Sequence, residues 1–141
     1  MPTKRPEIGA VWRYPYLWKR QAETGETEGR KPRPTLLSAV VPVTGKVTRL
    51  YLLPITGSPP TADRDALEVP VTEIRRAELS EYKRLWIIFD EHNRDTLEES
   101  FYFEPTAQIG MFSRAFVKVI ARRFMAAYQT RGARSGVDRA D

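Results

Sequence analysis

Arginine, lysine and hydroxyl side chains are the groups in this sequence that could do chemistry, because the chain has no cysteine and one histidine. The lack of cysteine excludes disulfides, thiolate metal sites and a cysteine nucleophile. The single histidine excludes metal sites and acid–base pairs that need several imidazoles. The composition therefore predicts neither a metal site nor a cofactor. It leaves catalysis by carboxylate, hydroxyl, lysine or arginine groups, or binding without chemistry.

A basic cluster over residues 30–34 (RKPRP) contains the main candidate for binding an anion. Its two prolines restrict the backbone and hold Arg30, Lys31 and Arg33 in an extended arrangement. A planar guanidinium can grip a phosphate through two donors and can stabilise charge that develops in a transition state, which favours Arg33. A plain basic loop and a proline-rich ligand for an SH3-type partner are the alternatives.

Hydroxyl and imidazole groups supply the other candidates. Thr56 and Ser58 follow the apolar residues 53–55 (LPI), at the end of a predicted strand where reactive groups are often held. An ordinary turn explains the same hydroxyls. His92 lies beside two carboxylates, and a histidine near neutral pH is a natural general base. A solvated turn after a buried strand is the alternative for His92.

Four aromatic residues alternate near the start of the chain, which places them on one face of a predicted strand over residues 10–18. They are Trp12, Tyr14, Tyr16 and Trp18. RNA bases could stack on this stripe while Lys19 and Arg20 contact phosphate. Core packing explains the first two of the four aromatic residues. The outermost, Trp18, is the one for which we predict a binding role.

Short strands dominate the rest of the predicted structure. The first strand must bend, bulge or lie at an edge at Pro15, which has no amide donor. Residues 19–34 are predicted to form a long polar loop, followed by a hairpin of residues 35–41 and 47–55 whose turn contains Gly45, a residue able to take positive φ. Further strands are predicted over residues 66–71, 85–89 and 100–103, and a helical turn within residues 72–82. Five or more short strands separated by loops indicate a small barrel.

The last predicted element is an amphipathic helix. Its apolar residues recur with a 3.6-residue period from Phe112 to Tyr128, and Ser113 could cap its start. Its basic residues lie four apart on another face, which is most simply the solvated one. Residues 129–141 are polar and contain glycine, so we expect a disordered tail. Residues 1–128 then form one domain that is mainly β with a C-terminal helix.

Length and charge narrow the classes of protein further. The chain has 141 residues, a formal charge of +5 and 41% hydrophobic residues, which suffices for one ordinary core. The charges sum to +6 over residues 1–50, −5 over residues 51–100 and +4 over residues 101–141. This order suggests a polyanion-facing surface and a separate acidic one, or a merely solubilising surface. No apolar run approaches the roughly 20 residues that span a bilayer, so we expect a cytoplasmic protein without membrane contact.

Taken in order, these features resemble those of the PemK and MazF-like toxins. Gly9 opens an aromatic first strand, Arg33 and Pro34 close a polar loop ahead of an aliphatic strand, and residues 53–56 (LPIT) end the next strand. With the amphipathic helix, the resemblance covers roughly residues 8–128. It implies an SH3-like small β-barrel that forms a homodimer. It also implies a metal-independent endoribonuclease of a type II toxin–antitoxin system, which cleaves single-stranded mRNA and is neutralised by a cognate antitoxin protein.

The resemblance also implies which residues act. Carried over position by position, the family's catalytic arginine before a proline falls on Arg33, and its strand-end hydroxyl falls on Thr56. Metal-free cleavage can use the ribose 2′-hydroxyl as nucleophile, which needs a proton acceptor, a proton donor and a cation for the crowded phosphorane. Arg33 would supply the cation, and Thr56 would position or relay a proton. Many members have an acidic residue where this chain has Ala10, so the general base stays open, with His92 as one candidate. The residues expected to bind RNA are Lys19, Arg20, Arg30, Lys31, Ser58 and Trp18.

Two non-catalytic functions stay open beside this one. The same barrel could hold nucleic acid or an acidic protein partner without cleaving it, and salt-dependent RNA binding without cleavage would select this function. The exposed helix could instead dock a partner protein. Indifference to RNA at low salt would select that second alternative.

Overall fold

The computed structural model describes residues 6–27, 31–100 and 102–139. Within these ranges the chain forms eight β-strands, three α-helices and one 3-10 helix. The strands are β1 (Ala10–Tyr14), β2 (Arg33–Thr44), β3 (Val47–Thr56), β4 (Ala66–Glu68), β5 (Trp86–Ile88), β6 (His92–Thr96), β7 (Gln108–Met111) and β8 (Gly136–Asp138). The helices are α1 (Lys19–Glu23), α2 (Val71–Arg76), α3 (Arg114–Arg131) and the 3-10 helix (Ala133–Ser135). A mainly β fold with a C-terminal α-helix is therefore confirmed.

All eight strands belong to one sheet whose central strand is β3. The main path runs β4-β5-β3-β2-β1-β7, while β6 pairs with β3 and β8 pairs with β6. Along one edge β3 pairs with β2; along the other it pairs with β6 over residues 49–52 and with β5 over residues 55–56. In this part of the chain every pair is antiparallel except β6 with β8. The outer strands β4 and β7 do not pair with each other within the described residues, so these pairings leave the sheet open.

The predicted hairpin is present as β2 and β3, and both strands are longer than expected. Leucine, valine and other apolar residues fill their buried halves, as suits strands that are covered on both faces. Pairing extends as far as Thr44 opposite Val47, so the turn is confined to residues 45–46. Gly45 is not among the glycines with positive φ, so the turn does not use the left-handed conformation that this residue could adopt.

The aromatic stripe packs inside the protein. β1 ends at Tyr14, directly before Pro15, as the missing amide donor of proline predicts. Trp12 and Tyr14 are 5% and 0% exposed and lie in one core cluster, so the packing interpretation of these two residues is confirmed. Tyr16 and Trp18 follow the strand rather than extend it, yet they belong to the same cluster. The first strand is therefore shorter than predicted, and the aromatic stripe continues beyond it.

Helix α3 covers the opposite face of the sheet. Phe116, Ile120 and Phe124 recur at helical spacing and are buried in a second core cluster. The Oγ of Ser113 accepts a hydrogen bond from the amide of Phe116 at 3.2 Å, which confirms the predicted N-cap. Neither α3 nor any other described helix combines the length and the apolar character that crossing a membrane requires.

Two predicted segments differ in the structure because of local capping. Helix α1 occupies residues 19–23 of the predicted polar loop, where the amide of Trp18 donates to the side-chain oxygen of Gln21 at 3.1 Å. The strand predicted over residues 66–71 stops after three residues as β4. Pro70 is instead the N-cap residue of α2, and its carbonyl accepts a hydrogen bond from the amide of Ile74 at 3.0 Å.

The strand predicted over residues 100–103 is replaced by a turn in its described part. The Ser100 hydroxyl accepts hydrogen bonds from the amides of Tyr102 and Phe103, at 3.1 and 2.8 Å. The same hydroxyl donates to Asp95 at 2.6 Å. A serine that serves nearby amides in this way competes with strand pairing, which explains the difference.

The C-terminal residues up to 139 fold onto the sheet, which corrects the disordered tail predicted from residue 129. Helix α3 continues past residue 128, and β8 adds a parallel strand to β6. Arg139 is 6% exposed and donates from its guanidinium to the carbonyl of Pro15 at 2.6 Å. Strand pairing and this buried cation hold the segment, and neither is visible in its local composition. The folded unit therefore extends beyond the boundary predicted at residue 128.

Candidate functional site

A cavity of about 380 Å³ opens where β2 begins and β3 ends, and five of the predicted site residues line it. They are Trp18, Arg20, Arg33, Thr56 and Ser58. Arg64, Thr61 and the proline pair at residues 59–60 form most of the remaining wall. The structure thus brings together the guanidinium and hydroxyl groups that the sequence predicts from separate segments. This cavity is called the Arg33 cavity.

The pairing of three strands accounts for this convergence. β2 and β3 pair from Thr35 opposite Pro54 onward, and Arg33 and Thr56 each lie two residues beyond that pair, where the side chains return to the same face. Arg33 also pairs with Tyr14 on β1, so its backbone is held from the other side. Directly opposite residues of an antiparallel pair project on the same face of a sheet. The side chains of Arg33 and Thr56 therefore share one face at the edge of the sheet.

Arg33 presents an uncompensated cation to the cavity. Its guanidinium carbon lies 5.2 Å from the centre of the Trp18 ring, and its Nε is buried without a hydrogen-bond partner. No carboxylate among the described residues forms an ion pair with it. Burial and the nearby charge of Arg20 lower the pKa of Arg33, although an arginine stays protonated at neutral pH. A partly desolvated cation of this kind gains from an incoming phosphate.

Trp18 is in contact with two guanidinium groups, so its ring is not free for a ligand to stack on. The guanidinium carbon of Arg20 lies 5.3 Å from the ring centre, close to the 5.2 Å for Arg33. Each cation–π contact stabilises its arrangement by about 0.5–2 kcal/mol. Because Trp18 is 7% exposed, an RNA base would have to displace an arginine in order to stack on it. Its geometry therefore suits the positioning of Arg20 and Arg33.

The hydroxyl of Thr56 is oriented by the backbone of the following turn. Its Oγ1 accepts a hydrogen bond from the amide of Ser58 at 3.1 Å. A hydroxyl has one proton and two lone pairs, so accepting this bond leaves the Thr56 proton free to be donated elsewhere. Ser58 itself is exposed at the cavity rim. Thr56 can therefore hold or pass a proton beside the cation of Arg33.

Arg64 is part of the cavity wall and is not predicted from the sequence. Its guanidinium contacts both carboxylate oxygens of Asp90, with a shortest N–O distance of 2.6 Å, and pairs with Glu91 at 2.9 Å. Burial alone would raise the pKa of Asp90, but the hydrogen bonds from Arg64 and from the amide of Asp65, together with the charge of Arg64, lower that pKa. The charge of Arg64 is thus compensated, which makes it a fixed part of the wall. No local signal identifies this pair, because its members are 26 residues apart.

Of the other residues predicted to bind RNA, one lies next to the Arg33 cavity and one lies away from it. Lys31 is exposed and lines a smaller pocket of about 240 Å³ that shares three residues with the Arg33 cavity. Lys19 points elsewhere, because its Nζ donates to the backbone carbonyl of Arg134. Arg30 lies outside the described residues. Lys31 can therefore extend the cationic surface around the cavity, whereas Lys19 belongs to another part of the surface.

His92 lies in the core and not in the cavity. It is 1% exposed, and its ring contacts Tyr51, Phe124 and Tyr128 at centroid separations of 5.5–5.7 Å. Neither ring nitrogen has a hydrogen-bond partner within the described ranges, and burial lowers the pKa of His92 to about 4. The predicted solvated turn is wrong, because β6 begins at this residue and pairs with β8. The structure does not bring His92 together with the predicted catalytic residues.

The chemistry that the cavity offers is therefore cationic and hydroxylic. Across residues 6–27, 31–100 and 102–139, histidine and carboxylate side chains nowhere gather in threes as a metal site would need. The arrangement can bind an oxyanion through Arg33 and Arg20 and place the Thr56 hydroxyl beside it. No protein-family model matches the chain, and no match to it is found among curated proteins.

Proposed function

We propose that this protein is a metal-independent endoribonuclease that cleaves single-stranded RNA, as the toxin of a type II toxin–antitoxin system. One observation carries the proposal: residues that the resemblance to PemK and MazF-like toxins selects from separate segments line one cavity. Arg33 and Thr56 stand on one face of adjacent strands, and the cation of Arg33 has no carboxylate partner in the described part of the chain.

The cavity supports the following cleavage chemistry. The 2′-oxygen of the ribose attacks the adjacent phosphorus, the bond from phosphorus to the 5′-oxygen breaks, and the products carry a 2′,3′-cyclic phosphate and a 5′-hydroxyl. Arg33 stabilises the extra negative charge of the phosphorane through its planar fork of donors. Thr56 relays the proton: the remaining lone pair of its Oγ1 takes the proton of the 2′-hydroxyl while its own proton passes to the departing 5′-oxygen, since the hydrogen bond from the Ser58 amide uses neither.

Binding of the strand follows from the charges around the cavity. Arg20 and Lys31 lie beside Arg33 and would contact phosphates of neighbouring nucleotides, so affinity should fall with salt. Ser58 at the rim could contact sugar hydroxyls. The nucleophile in this mechanism is the 2′-hydroxyl of the substrate, which RNA has and DNA lacks, so the substrate is RNA.

The proposal includes an SH3-like small barrel as the fold. Support comes from the way the strands bend. Register shifts occur in the β1–β7 pair and at two places in the β2–β3 hairpin. Such irregularities increase strand twist and curvature, as a small barrel requires. The switch of partners along β3 also turns its two halves toward different neighbours.

The proposal also includes two protein partners, a second copy of the chain and an antitoxin. An apolar groove of about 290 Å³ between the hairpin and α3 supports a protein contact. Val41 and Met125 line it and are 41% and 59% exposed, and apolar side chains exposed together in one groove are typical of a site that a partner covers. Cleavage of mRNA would place the protein in the cytoplasm.

Substitution of Arg33 tests the enzymatic proposal. Single-turnover cleavage of a mixed-sequence RNA in EDTA would be measured for Arg33→Ala, Arg33→Lys and the control Arg114→Ala, which removes an exposed arginine of α3. We expect Arg33→Ala to lower the rate by about a hundred- to a thousandfold. Arg33→Lys should not restore it, because an ammonium lacks the two-donor fork. Equal rates for Arg33→Ala and Arg114→Ala would contradict the proposed mechanism.

One observation favours a second candidate, an RNA-binding module without cleavage. No carboxylate or imidazole lines the Arg33 cavity in the part of the chain that the structure describes, so a general base of the usual kind is not at hand there. The same assay separates the two candidates. RNA that is bound in a salt-dependent manner by wild type, is released by Arg33→Ala and is never cleaved would select the binding module.

A further inference from the structure

A second cavity, of about 430 Å³, lies beside the C-terminal end of α3. Three of its lining residues are basic, namely Lys19, Arg131 and Arg134, and the others are Asp90, Thr130 and Ser135. Both hydroxyls donate to backbone carbonyls, at 3.0 Å for Thr130 and 2.8 Å for Ser135. The donors left for a ligand in this cavity are therefore cationic.

The three cations of the second cavity outnumber the one carboxylate that lines it, Asp90. Lys19 donates to a neutral acceptor, the backbone carbonyl of Arg134. Arg131 and Arg134 are exposed, and neither forms an ion pair with a carboxylate of the described residues. Asp90 lines the cavity, but both of its carboxylate oxygens already accept hydrogen bonds from Arg64. The cavity thus attracts an anion from outside the protein.

The two cavities adjoin across a single ion pair. Arg64 lines the Arg33 cavity, and Asp90, its partner at 2.6 Å, lines the second cavity. Lys19 lies in the chain between Trp18 and Arg20, which both line the Arg33 cavity. One polyanionic strand can therefore enter both cavities.

The backbone that carries Arg134 is held in place before any ligand binds. Arg94 donates to the carbonyl of Ala133 at 2.6 Å and pairs with Asp138 at 2.7 Å. Gly136 packs so closely on His92 that an added Cβ would collide with the imidazole. A preformed site loses less conformational entropy on binding, which favours affinity.

We propose that the second cavity binds a backbone phosphate of the same RNA strand, at least one nucleotide away from the bond cleaved in the Arg33 cavity. The inference rests on the proposed function and adds a second phosphate site to it. Arg131 and Arg134 grip the phosphate, and Lys19 adds its charge beside them. The C-terminal segment is thereby part of the RNA-binding surface.

The test compares two double variants that remove the same charge from the full-length protein. Arg131→Gln with Arg134→Gln empties the second cavity of its guanidiniums, and Arg114→Gln with Arg122→Gln removes two exposed arginines elsewhere on α3. The probe is a 2′-O-methylated octanucleotide of mixed sequence, which cannot be cleaved by 2′-hydroxyl attack. Affinity is measured over a range of salt concentrations, and thermal unfolding confirms that each variant is folded.

We expect the first double variant to bind the octanucleotide about tenfold more weakly than the control variant, since a phosphate held by a charged donor contributes affinity of that order. Its log–log salt dependence should also be shallower by about 0.7 for each phosphate that the variant no longer neutralises. Cleavage of ordinary RNA at saturation should be unchanged, unlike that of Arg33→Ala. Equal affinities of the two double variants, or a loss of saturating cleavage in the first one alone, would overturn the second site.

The outcomes separate this inference from the proposed function. A tenfold difference in binding without any cleavage by wild type would support the second site and refute the endoribonuclease. Cleavage that depends on Arg33, with equal octanucleotide affinities, would support the endoribonuclease and refute the second site. A wild-type protein that does not bind the octanucleotide at low salt would overturn both.

Discussion

Replacing Thr56 with valine should separate chemistry from folding at the Arg33 cavity. Valine has nearly the shape of threonine, so it leaves no void, but it can neither accept the hydrogen bond from the amide of Ser58 nor donate a proton. We expect cleavage of RNA to fall by about a hundredfold or more, because a positioned proton-transfer group contributes about 10²–10⁴ in rate.

The structural cost of Thr56→Val should be small. The only protein hydrogen bond described for its hydroxyl joins Oγ1 to the Ser58 amide at 3.1 Å. Ser58 is exposed, so water can replace the missing partner and the free energy of unfolding should fall by about 0.5–1 kcal/mol. For a chain of this size that corresponds to a decrease of about 2–4 °C in melting temperature. RNA affinity should change by no more than about threefold, the size of one weak hydrogen bond.

The assay combines thermal unfolding, binding of an uncleavable RNA and single-turnover cleavage for wild type, Thr56→Val and Thr56→Ser. Serine keeps the hydroxyl, so its cleavage rate should stay within about tenfold of wild type. A Thr56→Val protein that is folded and cleaves RNA at the wild-type rate would refute the assignment of a proton-handling role to Thr56. A melting temperature lowered far beyond a few degrees would refute the reasoning about its local contacts.

Three further predictions concern the groups that hold the fold and the cavity. The pKa of His92 is lowered from 6.5 to about 4 by burial, so the unfolded chain binds more protons between these values and stability must fall as the pH falls through them. Urea titrations should show a loss of about 3 kcal/mol between neutral pH and pH 4 that is absent from His92→Phe, and parallel curves for the two proteins would contradict this. Trp18→Leu removes the ring under Arg20 and Arg33 and should slow cleavage at least about tenfold. Trp18→Phe, which keeps an aromatic ring, should restore part of the rate. Unchanged kinetics in Trp18→Leu would mean that the arginines do not need the ring. Gly110→Ala places a Cβ against the backbone of Ala77 and should lower the free energy of unfolding by about 1–3 kcal/mol. In the control Gly45→Ala the added Cβ meets open space. Equal melting temperatures of the two variants would show that the packing of β7 against Ala77 is loose.

The elements with strong local patterns could be predicted from the sequence. The hairpin of β2 and β3, the buried strand β5 and helix α3 with its Ser113 cap follow from apolar runs, helical periodicity and a capping residue. These signals lie within one stretch of chain, so no tertiary information is needed to interpret them.

Strand β6 could not be predicted, because its residues are polar and yet largely buried. Asn93 exchanges hydrogen bonds with the backbone of Leu17 at 2.9 and 2.8 Å, and Asp95 accepts one from the hydroxyl of Tyr14 at 2.8 Å. Partners 76 and 81 residues distant make this burial possible. Buried polar groups are tolerated only when they are hydrogen-bonded, and the sequence alone does not identify such distant partners.

The residues of the candidate site also include some that could be predicted from the sequence and some that could not. Arg33 and Thr56 could be selected from the sequence, because Arg33 precedes a proline and Thr56 lies at a strand end. The family resemblance assigns both residues to one site. Arg64 could not be selected, because its place in the wall depends on its ion pairs with Asp90 and Glu91. The position of His92 could not be predicted for a related reason: its polar neighbours suggest a solvated turn, whereas pairing of β6 with β8 buries it.

The central claim is that the RNA's own 2′-hydroxyl is the nucleophile in the Arg33 cavity. The most direct measurement is mass spectrometry of the products formed in EDTA from one RNA and from the same RNA with a single 2′-O-methyl group at its main cleavage position. The proposed mechanism predicts 2′,3′-cyclic phosphate ends from the unmodified RNA, no cleavage at the methylated position, and formation of such ends at least about a hundredfold more slowly with Arg33→Ala. Cleavage at the methylated position, or cyclic ends that Arg33→Ala forms at the wild-type rate, would contradict it.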